Sequence, residues 1–197
     1  MVFSELGQIE EYVRYIHLGL LALCAWLVIT ADLTAAKSVF RPLTNKDFGN
    51  LHRKHTVLSW SLCLLWLTGA FIIWNTTKFQ VSEFSPKLVA KLIVVSILTL
   101  NACIIGRLAL PFMERNKDKT LGQLPFYIRE RIAICGSIST ASWVSAACLG
   151  AIPELKTASA EELVVLLGAT YAAFLIFATV FAVATSIRQP KPIPVAP

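Results

Sequence analysis

EYVRYIHLGLLALCAWLVITADL, residues 11–33, decides how this chain is read. No charge interrupts it from Leu18 to Ala31. About 20 residues at ~1.5 Å each cross the hydrocarbon core of a bilayer, so the run is long enough to span one. Its ionisable residues lie near its ends: Arg14 and His17 on one side, Asp32 on the other. Such groups at membrane depth are costly, which makes each a functional candidate. His17 is the most informative of them, because an imidazole has too short a reach to snorkel to the interface as Arg and Lys do.

Outward from this stretch the pattern repeats. Of 197 residues, 56% are hydrophobic and 15% charged, well above and well below the ordinary globular shares. Five apolar segments, roughly 12–34, 55–75, 86–110, 132–152 and 163–187, are each long enough to cross a bilayer. Continuous apolar runs are not the alternating pattern of a barrel, so the spans are helices. The predicted fold is all-α: a polytopic membrane bundle of five transmembrane helices forming a single domain over residues 1–187. A Pro-rich tail, 188–197, follows and is read as extended and polyproline-like. The acidic start MVFSELGQIEE lacks a basic n-region, so it is not read as a cleavable signal.

Thirteen of the eighteen Lys and Arg residues fall on the side holding the first loop, the third loop and the tail. Positive residues stay inside, so the N-terminus is expected outside and the C-terminus in the cytoplasm. A bacterial inner membrane is the expected location. The net charge of +6 belongs to loops that face anionic lipid head groups, not to a nucleic-acid surface. The five cysteines all lie in apolar runs without a C-x-x-C pair and read as small buried residues. A phosphate loop, a G-x-S-x-G elbow and a zinc signature are absent.

With that orientation, depth follows from position. His17 stands about five residues into the first span and Lys91 about five into the third, each ~8 Å from the outer face. Arg14 and Lys87 lie one turn further out and can snorkel. A second polar set belongs to the inner face: Asp32, His52, His55 and Arg107, with Asn101 deeper. Asp32 is expected to pair with Arg107 or Lys54. His52 and His55 have a spacing that can share a metal on one helical face, but no third ligand stands near. His17 and His55 lie toward opposite faces and cannot ligate one iron. The fourth segment, with Gly136, Ser139, Thr140 and Trp143, offers small residues for close helix packing and is expected to be central.

Three motifs carry a resemblance: YIHLGLLALCAW in the first span, WLTGAFIIW in the second and PKLVAKLIVVSIL opening the third. In this order they resemble the HemJ-type membrane protoporphyrinogen oxidases and related CopD-like small helical membrane proteins. The resemblance covers roughly residues 12–110. In the HemJ group a His on the first helix and a Lys early in the third are associated with haem, and they correspond to His17 and Lys91. The resemblance implies haem b, with His17 on the iron and Lys91 as second ligand or propionate partner. Arg14, one turn from His17, completes the expected cofactor-binding set. It further implies an oxidoreductase or electron-transfer role with a quinone or a porphyrin as partner. The chain departs from the group at Asn101, where a His is expected, and in its fifth helix. The alternative is a cofactor-free accessory subunit that packs against other membrane subunits through the fourth helix, the fifth helix and the tail. Copper transport is disfavoured, since Met1 and Met113 both lie outside the membrane core.

Overall fold

The computed structural model describes residues 2–187, and the Pro-rich tail lies outside them. Helices account for nearly all of this length: α1 (Val2–Ala36), α2 (Asn45–Thr77), α3 (Pro86–Ile104), α4 (Leu110–Arg115), α5 (Phe126–Ala151) and α6 (Ala160–Ile187). Short 3-10 turns sit in the connections, and no strand occurs among the described residues. A π-helical segment, Ile105–Ala109, joins α3 to α4, so the two form one rod. Five helices are long and apolar enough to cross a membrane: Gly7–Val39, Asn45–Thr77, Pro86–Arg115, Phe126–Ala151 and Ala160–Thr185.

The spans differ from the sequence reading mainly at their ends. The second begins at Asn45, ten residues before His55, which places His52 and His55 inside a helix. A reciprocal cap explains the early start. The Thr44 hydroxyl accepts from the Asp47 backbone N–H at 3.2 Å, and the Asp47 carboxylate accepts from the Thr44 N–H at 3.0 Å. Arg41 adds an ion pair to the same carboxylate at 2.9 Å. The third span does not stop at Leu110. Pro111 lacks an N–H and its ring crowds the carbonyl four residues back, which ordinarily breaks a helix. Here the wider π register takes up the misfit, with the Leu110 N–H donating to Ile105 O, and helix resumes to Arg115.

α1 and α2 form an antiparallel pair. Glu10 meets Asn75, His17 meets Thr68, and Thr30 meets Lys54, so the contacts run in opposite order along the two helices. α5 packs along both α3 and α6. Asn101 Nδ2 donates to Cys135 O at 2.8 Å between α3 and α5, and Tyr171 is bonded to Ser142 at 2.7 Å between α6 and α5. The Ser142 hydroxyl proton goes to Ile138 O, so Tyr171 is the donor. α5 is the central span: 39% of its apolar window is buried, against 11–22% in the other four.

The α1/α2 pair and the α3/α5/α6 group meet through side chains, with sparse close backbone approach. Cys24, Val28, Leu62, Leu65, Leu98, Ala102 and Trp143 form the shared core. Trp66 Nε1 donates to Thr99 Oγ1 across the same seam at 3.0 Å. Below, the two ends of the bundle are named by residues they carry: the Lys87 end, with the α2–α3 and α5–α6 connections, and the Glu114 end, with the α1–α2 and α4–α5 connections.

Candidate functional site

At the Lys87 end, His17 sits on α1 between outward-facing Ile16 and Leu18 and is itself half-buried. Its ring turns to α2, where Nδ1 and Thr68 Oγ1 are 2.7 Å apart. Thr68 has a single hydroxyl proton, and that proton is shared between Leu64 O at 2.8 Å and Leu65 O at 3.2 Å. Thr68 therefore can only accept from His17. The proton of a neutral imidazole is thus on Nδ1, and Nε2 keeps its lone pair. No protein group among the described residues is hydrogen-bonded to Nε2. The residue after Thr68 is Gly69, whose missing Cβ would lie 3.6 Å from His17 Cε1. The LTG run of the second span thus meets the histidine of the first: Thr68 fixes the ring and Gly69 leaves its edge clear.

Lys91, on α3, lies within electrostatic reach of His17. It is half-buried, and none of the ion pairs among the described residues includes it. Its charge is also felt by Lys87 and Lys156, so these three ammonium groups lie near one another at this end. Lys87 does not snorkel outward as the sequence reading expects. It is 8% exposed and donates to Ile152 O at 2.8 Å. The C-terminal carbonyls of a helix lack intrahelical partners and carry partial negative charge, so an ammonium at the end of α5 is favourably placed. Arg14 is exposed and ion-paired with Glu10 one turn earlier on α1. The order of the two, acid before base at four residues, is the favourable one. Glu10 also accepts from Asn75 Nδ2 at 3.4 Å, which ties the Arg14 pair to α2.

The Glu114 end is arranged differently from the sequence expectation. Asp32 forms no ion pair among the described residues. Lys54 reaches α1 but donates to Thr30 O at 2.8 Å and Thr34 Oγ1 at 3.4 Å. Asp32 stands two residues from each, about 200° around the helix, and is not bonded to the ammonium. Arg107 is exposed on the π segment. Asp32 lies beside Thr140 of α5, whose hydroxyl donates to Gly136 O at 3.0 Å. His52 Nε2 meets Glu114 at 3.1 Å on the surface. His55 does not join His52 at a metal; among the described residues no three His, Cys, Asp or Glu side chains cluster as ligands. The His55 ring lies in a slot against Gly106 of the π segment, where a Cβ would approach Nε2 without room for either atom.

A cavity of about 120 Å³ opens beside that slot, lined by α1, α2, the α3–α4 rod and α5. That is far below the roughly 300–1,000 Å³ of a pocket for a large ligand, so a porphyrin does not fit it. At the Lys87 end the donor chemistry does suit one: a neutral imidazole with a basic Nε2, held by its other nitrogen, is how ligating histidines are oriented. The sequence places His17 and Lys91 at a similar depth, and the structure puts them within electrostatic reach of each other. Sequence reading missed Thr68, Gly69 and Gly106, which depend on which face of each helix meets its neighbour. No protein-family model matches the chain, and searches of curated proteins and of solved structures find no match.

Proposed function

We propose that the chain is an integral membrane protein that holds a b-type haem or a related porphyrin through His17. The bond between Thr68 and His17 Nδ1 carries this reading, because it leaves Nε2 available as an axial ligand. Lys91 supplies the second contact, as a ligand or as the partner of a porphyrin carboxylate. Lys87 is committed to Ile152 O and Lys78 lies over the Trp74 ring, which leaves Lys91 and Lys156 as the ammonium groups able to meet a carboxylate there. The Arg14–Glu10 pair lies one turn outward and bounds the site. Haem b supplies a one-electron couple when bound, so an oxidoreductase or electron-transfer role with a quinone or porphyrin partner is the activity proposed.

The Lys/Arg asymmetry supports a placement with the Lys87 end outward and the Glu114 end in the cytoplasm of a bacterial cell. His17 then sits near the outer face, within reach of a partner there. The resemblance of its motifs to HemJ-type proteins favours the same site.

The test is a visible spectrum of the detergent-purified protein, oxidised and then reduced with dithionite. A Soret band that sharpens on reduction with an α band is expected. His17→Ala should abolish the pigment and His52→Ala should leave it. A colourless, fully folded preparation would retire this reading in favour of the accessory subunit.

A further inference from the structure

The cavity at the Glu114 end is separate from the His17 site. His17 and Asp32 are fifteen residues apart on α1, or ~22 Å along the helix axis. Its walls are almost wholly apolar and include Val28, Leu62, Leu98, Ala102, Ile105 and Met113. In size it approaches a cavity of roughly 150 Å³ that, lined by aliphatic and aromatic groups, stays dry and takes up benzene. At 120 Å³ it accommodates one six-membered ring and little more.

One polar group on its lining, Asp32, has unused acceptor capacity among the described residues. Thr140 lies beside Asp32 but its hydroxyl proton goes to Gly136 O at 3.0 Å, so the carboxylate accepts no side-chain hydrogen bond that meets ordinary geometry among the described residues. Trp143 Nε1 is buried with no acceptor among the described residues, but Trp143 is not on the lining; its indole shares a core cluster with Val28, Leu62, Leu98 and Ala102 of the wall. A buried donor without an acceptor costs about 1–3 kcal/mol, and such groups are rare in finished structures. The other charged or titratable groups facing the cavity are Lys54, which is held by Thr30 and Thr34, His55 in its glycine slot, and Cys135.

We infer that this cavity binds a one-ring amphiphile bearing a hydroxyl group. The ring fills the apolar space, and the hydroxyl donates to Asp32. α1 and α5 both line the cavity yet approach each other sparsely, and Asp32 is exposed. In a bilayer that gap faces lipid, so the ligand arrives dissolved in the membrane. The inference rests on the membrane placement and is independent of haem.

The experiment is 19F NMR of 4-fluorobenzyl alcohol with the full chain in lipid nanodiscs, with 4-fluorotoluene as the ring lacking a hydroxyl. One saturable bound resonance is expected for the alcohol. Gly136→Leu should remove it for both probes, because position 136 lines the cavity and a Cβ there meets nothing within 4 Å. Asp32→Ala should weaken the alcohol about tenfold and leave the toluene unchanged. If Gly136→Leu does not fold by circular dichroism, Ser139→Leu fills the same space from the next turn. Linear partitioning without saturation, or binding indifferent to the filling variant, overturns the proposal; an Asp32→Ala variant that weakens both probes equally overturns the hydroxyl contact. His17→Ala should leave the resonance intact, which separates this result from the fate of the pigment.

Discussion

His17 and His55 are the same residue held in two opposite ways. His17 is fixed by a bond: Thr68 accepts from Nδ1, and the remaining nitrogen is left to react. His55 is fixed by an absence: Gly106 has no side chain, and the ring occupies the space. A hydrogen bond selects a tautomer, whereas a steric slot selects only a position. The comparison teaches that two imidazoles equally embedded in a helical bundle are not equally available for chemistry. His52, bound to Glu114 on the surface, is a third case, and among the described residues that pair is its one side-chain hydrogen bond.

The largest expected effect separates the two outright. His17→Ala should remove all pigment from the purified protein while His55→Ala leaves the Soret band in place. A spectrum lost with His55 and kept without His17 would reverse the assignment. Next in size is the supporting bond. Thr68→Val should weaken haem retention by roughly 10–100-fold, the usual cost of losing such an orienting partner, and Thr68→Ser should restore it. Haem loss to apomyoglobin reads this directly.

Stability tests sharpen the contrast further. Lys87→Met removes a charged donor from Ile152 O and should cost about 1.5–3 kcal/mol, read as a lower midpoint in denaturant. The glycine pair is subtler. Gly106→Ala drives a methyl into the His55 ring and should destabilise by about 1–3 kcal/mol, less the gain of replacing a helical glycine. Gly69→Ala meets His17 Cε1 at an ordinary 3.6 Å and should stabilise the chain by up to about 1 kcal/mol. Equal effects at the two glycines would show that the slot does not hold His55.

The five spans were legible because length and apolarity decide them, and both are properties of the sequence alone. The proximity of His17 and Lys91 was legible from depth, which needs only a count of residues from each helix start. Rotation about the helix axis was not legible. Thr68 lies 51 residues from His17, and only the packing of α1 on α2 brings its hydroxyl round to the ring. The Asp32 expectation failed for the same reason: Lys54 is at the right level but reaches the other side of α1. The early start of α2 carried a signal, since Thr44 and Asp47 have capping-box spacing, but the polar stretch behind them hid it. The rod through Pro111 had no signal, because a proline ordinarily marks an end.

The π segment also sets a phase. Each residue winds an α-helix by about 100°, so the widened turn acts as an inserted tooth between two stretches of otherwise regular gearing. Lys87 and Asn101 engage α5 on one side of it, and Leu110 and Met113 engage Leu43, Phe48 and Leu51 on the other. Rewinding Ile105–Ala109 as regular α-helix with no residue removed would rotate one set of contacts by roughly 90° relative to the other. The rod is therefore indexed to two neighbours at once, and its odd turn is the offset that lets both engage.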